Sequence, residues 1–212
     1  MSTDYIEKFE KALLSIDKVA AQKIIMEIQR SEGTMYCVEN FIVPTMDKMG
    51  TGWENGSVAL SQLYMSGRIC EELIDNIFPA INLAQRHQPK MAITVLNDYH
   101  FLGKRIVYTI LRASGFELQD YGAVRDIETL VTQIKNDDIK ILLVSVLMLN
   151  SALQVKTLIE MLKNAQLKTK VIVGGAPFRF DTKLWQEIGA DAMGKTASDA
   201  IDIVSKMMEK IT

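Results

Sequence analysis

Residues 97 to 105, NDYHFLGKR, follow the apolar run Met91 to Leu96 and precede the helix-patterned RIVYTILRASG. They set Asp98, His100 and Gly103 together where a buried strand hands over to a helix. A neutral imidazole can ligate a metal through one nitrogen while the other donates to a carboxylate that fixes tautomer and orientation. Asp98, two residues upstream on the same loop, is the candidate carboxylate. Its own orientation needs a further donor, for which Ser151, near the start of a later helix, is the candidate. One His without a second nearby ligand does not hold a bare zinc ion, which takes three or four protein ligands. A metal arriving inside its own macrocycle needs only one. Taken alone, a His at a strand end is most often a satisfied polar residue, so this reading depends on what else reaches the same rim.

The surrounding pattern supplies that rim. After residue 90, MAITVL, FELQDYG, KILLVSV, TKVIVGG and the short ADAMG read as strands, separated by the helix patterns IVYTILRAS, IETLVTQIKN, ALQVKTLIEMLKNA and KLWQEIG and followed by DAIDIVSKMMEK. Continuous apolar strands alternating with helices indicate a parallel sheet covered on both faces. The crossover rule leaves a doubly wound, flavodoxin-like α/β domain of five strands as the economical solution. In such a sheet ligands collect beyond the carboxyl ends of the strands. Asp98 and His100 follow the first strand, Ser145 and Leu147 end the third, and Gly174 and Gly175 end the fourth, so all three clusters share one rim. Glycines at 103 and 174–175 allow a bulky ligand to approach the backbone closely.

Ahead of this domain, residues 4 to about 86 read as helix. Ile6, Phe9, Leu13 and Ile16, then Val19, Ile24, Ile25 and Ile28, keep amphipathic spacing. A third segment from Met35 to Met49 carries Pro44, which kinks or divides it. Gly50, Gly52 and Gly56 around Trp53 read as a turn, and a fourth segment runs from Val58 to Ala84. Four helices with short connections imply an all-α four-helix bundle. The polar QRHQPK, residues 85 to 90, is the linker candidate and places His87 in solvent. The expected domains are 1–86 and 90–212.

Composition narrows the function. With 24 basic and 26 acidic residues interspersed and a formal net charge of -2, nothing resembles the footprint of a protein that neutralises many phosphates, which excludes nucleic acid as the expected partner. No apolar run approaches the ~20 residues that cross a bilayer. The N-terminus lacks the basic start and unbroken apolar core of a signal peptide, so the expected location is cytoplasmic. Cys37 and Cys70 lack CxxC spacing and read as buried thiols.

The pattern Asp98-x-His100-x-x-Gly103, Ser145-x-Leu147 and Gly174-Gly175, with matching intervals between its three elements, resembles the cobalamin-binding signature of methionine synthase and of corrinoid proteins in anaerobic methyltransferase systems. GKRIV, GFELQDYG and VIVGGAPF are similar to family members as well, and the resemblance covers the whole chain, since that family carries a helical bundle directly before the domain. It implies cobalamin, or a related corrinoid, as cofactor. His100 would replace the dimethylbenzimidazole as lower axial cobalt ligand, with Asp98 and Ser151 completing a ligand triad. The displaced nucleotide tail would pass Gly103, Ser145, Leu147, Gly174 and Gly175. The bundle would cap the upper corrin face, with Trp53 and Tyr64 either shielding cobalt or filling the bundle core.

The function implied is a carrier, not catalytic by itself, that accepts a methyl group on Co(I) from one methyltransferase and donates it to another, base-off and histidine-on, with a reductive activase as a further partner. Methyl donor, acceptor and oligomeric state stay open. The alternative is a cobalamin-binding sensor or storage protein without turnover. Trp53 and Gly56 are similar to light-sensing cobalamin regulators, but Leu63 and Tyr64 stand where those carry a Glu-His pair. Two further departures are Asn97 in place of the Gly common before the motif Asp, and LNSALQVK in place of a Thr-rich helix start.

Overall fold

The computed structural model describes residues 2–77 and 88–211, in two compact units. His87 and the predicted helix beyond residue 77 lie outside the described residues, as do residues 85 and 86 of the linker candidate. Gln88, at its end, is fastened to the second unit: its side chain donates to the Gly115 carbonyl at 2.7 Å and accepts from Glu117 N at 3.0 Å.

The first unit is helical. α1 spans Ser2–Leu14, α2 Lys18–Glu32, and a continuous helix follows as α3 (Thr34–Cys37), a π-helical turn (Val38–Ile42) and α4 (Val43–Glu54), before α5 (Leu60–Ile77). Phe9, Leu13, Ile25, Ile42, Leu73 and Ile74 are fully buried, so the three-and-four spacing marks interior faces through the middle of α1 and α2, but Ile16 and Val19, at the turn between these helices, are exposed instead of continuing them. Pro44 does not break the third helix. It follows the π turn directly, where the regular i→i−4 bonding is already interrupted and a missing N–H costs least. Gly50 and Gly52, expected in a turn, are helical instead; only Gly56 leaves the helix, at φ +79°. Gly52 has a packing role: its carbonyl accepts from the backbone of Ser57 and Val58 at 2.8 and 3.0 Å, and a Cβ there would meet Val58 Cγ2 at 2.6 Å.

The second unit is a five-stranded parallel sheet with helices on both faces. β1 (Met91–Leu96), β2 (Gln119–Val124), β3 (Ile141–Ser145), β4 (Lys170–Gly174) and β5 (Ala192–Gly194) pair in the order β2-β1-β3-β4-β5. Every residue of β1 is buried, as expected of a strand covered on both sides. One face packs Met91, Ile93, Ile141, Leu143 and Ile172 against α6 (Leu102–Ala113) and α11 (Asp199–Glu209). The other packs Leu142, Val144, Val171 and Val173 against α7 (Ile127–Asp137), α8 (Leu149–Asn164), α9 (Ala176–Phe180) and α10 (Leu184–Glu187). The doubly wound prediction holds. β2 starts at Gln119, later than the run FELQDYG suggests, and α9 was not foreseen.

The chain leaves β1 toward β2 in one direction and β3 toward β4 in the other, so β1 and β3 flank a topological switch point, where the loops diverge and open a crevice. Leu142 sits in the middle of this sheet with no exposure. Leu142→Ala is expected to destabilise the second unit by about 2–5 kcal/mol. Trp185, packed against the same core, reports the change in denaturant midpoint when Trp53 is replaced by Phe.

Candidate functional site

Three loops build the site at the carboxyl rim. The first begins at Asn97, which takes φ +44° and donates its N–H to Val124 O at 2.8 Å. The chain then turns around the Asp98 carboxylate. Oδ1 accepts from Tyr99 N at 2.6 Å and His100 N at 3.1 Å and is bonded to His100 Nδ1; Oδ2 accepts from Leu147 N at 2.8 Å and Met148 N at 3.2 Å. The Asp98 side chain is 1% exposed and the imidazole 53% exposed. The carboxylate thus bridges the β1 and β3 loops across the switch point, just ahead of the α8 N-terminus, whose partial positive charge favours an anion.

Burial works to raise the Asp98 pKa, but hydrogen bonds from His100, Leu147 and Met148 and the His100 charge outweigh it, and the net shift is downward. A charged Asp98 on Nδ1 makes that nitrogen the donor and leaves metal coordination to Nε2 on the half-exposed ring. Among the described residues no group of three or more His, Cys, Asp or Glu side chains is placed to hold a bare ion.

The structure departs from sequence expectation at Ser151. Its hydroxyl donates to the Asn97 carbonyl at 2.9 Å, and two backbone N–H groups hold the Asp98 oxygen assigned to it. Ser151 still anchors the loop, one residue further back, and Asn97 Nδ2 adds a bond to Gln154 Oε1 at 2.9 Å.

The remaining predicted residues converge on the same rim. Val95, Ser145, Gly174 and Gly194 are register neighbours across four strands. Strand alternation puts Ser145, Gly174 and Gly194 on the sheet face covered by α6 and α11. Gly103, at the start of α6, faces this row: a Cβ there would lie 3.1 Å from Ser145 Oγ. Gly175 turns away at φ +124°, and a Cβ would stand 1.8 Å from the Val146 carbonyl oxygen. Leu147 offers its backbone to Asp98 and leaves its side chain 44% exposed; Met148, Leu149 and Leu153 are exposed beside it. Tyr99 is exposed with the Arg125 guanidinium 4.6 Å from its ring centroid.

Sequence reasoning missed Met148, Gly194 and the Tyr99–Arg125 pair. The short edge strand ADAMG, ending at the rim, was the available signal for Gly194. Trp53 and Tyr64 belong to the helical unit, where both are exposed, at 45% and 64%; they are not its core. Cys37 and Cys70 are buried free thiols, with burial raising the Cys37 pKa to about 12.

Gly175→Ala is expected to cost more than ~3 kcal/mol, measured by denaturation of the second unit, because the obstructing atom is backbone. Asp98 contributes stability that is complete above its ordinary value of 3.8 and is lost as pH falls through the lowered folded value. Asp98→Asn should therefore lower the denaturant midpoint at neutral pH and flatten its decline below pH ~4, in a pH series against the unaltered protein.

Comparison with known proteins agrees with this geometry. Residues 89–204 match the B12 binding domain family model, and residues 5–77 match a second B12 binding domain model. Dimethylamine corrinoid protein 3 of Methanosarcina acetivorans is 30% identical over 206 residues, covering 92% of this chain and 88% of the relative. A corrinoid protein of Desulfitobacterium hafniense is 26% identical over 219 residues, covering 99% and 100%. The structure of the Methanosarcina barkeri monomethylamine corrinoid protein superposes with a TM-score of 0.79 at 24% identity, covering 98% of this chain and 100% of that one. With a family match over more than half its length and the rim residues gathered at one switch point, this chain belongs to the B12 binding domain family.

Proposed function

We propose that the protein is a methyl-carrying corrinoid protein that binds cobalamin base-off and histidine-on and passes a methyl group between two separate methyltransferases. The observation that carries this reading is the half-exposed His100 ring, its Nδ1 tied to the buried Asp98 carboxylate. Cobalamin, when bound, supplies a cobalt centre that takes up a methyl group and gives it away.

The residues present fit that cofactor. His100 would provide the lower axial nitrogen, Nε2, in place of the cofactor's own base, with Asp98 holding the Nδ1 proton and setting the ring's direction. The side chains of Ser145, Gly174 and Gly194 leave little bulk along one row, and Gly103 and Gly175 stand where a Cβ would crowd the rim; this row would take the displaced nucleotide tail. Leu147, Met148 and Leu149 offer exposed apolar surface beside His100, suited to the underside of a corrin ring.

Residues 1–86 would act as the cap and 90–212 as the cofactor domain. Trp53 and Tyr64, exposed in the helical unit, would shield the upper face and exclude water from it, and the cap would move aside for each partner, as lids do. The names of the similar proteins, dimethylamine and monomethylamine corrinoid proteins, support a methyl donor of that class. A methyl-donor enzyme, a methyl-acceptor enzyme and a reductive activase would be the partners, in the cytoplasm. Among the described residues no helix is long and apolar enough to cross a membrane.

Mixing the protein with hydroxocobalamin tests the site. The expected absorption spectrum is base-off with histidine coordination, and His100→Ala should abolish that coordination and weaken binding about 10-fold or more. Identical cobalt coordination in His100→Ala and the unaltered protein would refute the assignment.

A further inference from the structure

The sequence GKR after the motif contains a lysine that the cofactor reading leaves without a role. Lys104 lies in the first turn of α6, where the helix dipole disfavours a cation, and its side chain is only 5% exposed. An ammonium so covered is costly unless paired. Both carboxylate oxygens of Asp120 bond it, and the Phe101 ring centroid lies 5.6 Å away.

Strand pairing brings Asp120 there, since it is in register with Ile93, which faces α6, and the sheet becomes irregular just beyond it. Ile93 pairs with Asp120 and Val95 with Ala123, so Tyr121 and Gly122 of β2 together oppose Thr94 alone, the arrangement of a β-bulge. Gly122 takes φ +67°. Its N–H donates to Asp120 Oδ1 at 2.8 Å, and its carbonyl accepts from Thr94 Oγ1 at 3.2 Å. Gly122 thereby holds the Asp120 carboxylate from the strand side, while Lys104 holds it from the helix that follows the His loop.

We infer that Lys104 and Asp120 are positioning residues for His100: the loop is pinned at one end by Asp98 on the Leu147 and Met148 amides and at the other by Lys104 on Asp120, so the imidazole is aimed before any cofactor arrives. This rests on the histidine-on reading above. Its physical content is pre-organisation, in which a supporting ion pair fixes the loop that presents a ligand.

The test uses the full chain as Asp120→Asn, Lys104→Met and Lys104→Arg, at temperatures well below each unfolding midpoint. Nitrogen NMR of the His100 ring without cofactor should show a single Nδ1–H tautomer in the unaltered protein and in Lys104→Arg, and mixed tautomers in the other two. With hydroxocobalamin, formation of the histidine-on spectrum should slow about 10-fold in Asp120→Asn and Lys104→Met and be retained in Lys104→Arg. Folded variants that keep both the tautomer and the rate of the unaltered protein overturn the inference, whatever their melting temperature, since a purely structural pair would change only that. If Asp120→Asn, left with a covered unpaired ammonium, does not fold, Lys104→Met decides, because it leaves only the half-exposed carboxylate. Failure of the unaltered protein to show histidine coordination counts against the proposed function, while the tautomer still decides this inference.

Discussion

A carboxylate with 1% exposure must find partners for nearly all of its hydrogen-bonding capacity, because desolvating an unpaired charge costs several kcal/mol. Asp98 finds them on both sides of the switch point: Tyr99, His100 and the imidazole from its own loop, Leu147 and Met148 from the loop after β3. That one requirement joins two loops which the topology sends in opposite directions. It sets the His100 tautomer, and it places an anion ahead of α8, where the helix dipole favours it. Ser151 and Gln154 on α8 then fix Asn97, so the residue before the carboxylate is anchored as well. The half-exposed imidazole is thus presented to the rim by a buried carboxylate that backbone amides hold in place.

The opposite constraint governs the rest of the rim. Where Asp98 brings backbones together by charge, Gly175 and Gly194 bring them together by lacking a Cβ, and Gly103 admits the Ser145 hydroxyl in the same way. Gly175 is the extreme case, since its missing Cβ is what lets the turn after β4 lie against the Val146 carbonyl. The rim thus draws on two unlike resources, a buried charge that needs partners and backbone positions that exclude side chains, brought together at the carboxyl ends of adjacent strands.

Much of this was legible in the chain. The strands were visible because a parallel sheet buried on both faces demands unbroken apolar runs such as MAITVL and KILLVSV. The motif residues were visible because their ligand chemistry is specific to residue type and interval. The errors arise where local preference competes with tertiary contact. Gly50 and Gly52 suggest a turn, yet helix continues through them, because Gly52 must admit Val58. The Ser151 hydroxyl bonds the Asn97 carbonyl, and spacing along a chain does not say which acceptor a hydroxyl chooses. α9 carries Pro177 in only five residues, too few to show a helical period. The β2 bulge left no pattern at all, since it depends on pairing with β1.

The π-helical turn at Val38–Ile42 carries one more consequence. Each turn of that kind accommodates an extra residue, and one residue of α-helix corresponds to about 100° of rotation. Everything downstream in the same continuous helix, Trp53 included, is therefore rotated by that angle relative to a regular helix built from Thr34. A single-residue deletion among these five positions would rotate the buried Met49 out of the interior and carry Trp53 round with it, so the extra residue is what lets Cys37, ahead of the turn, and Met49, after it, both face inward.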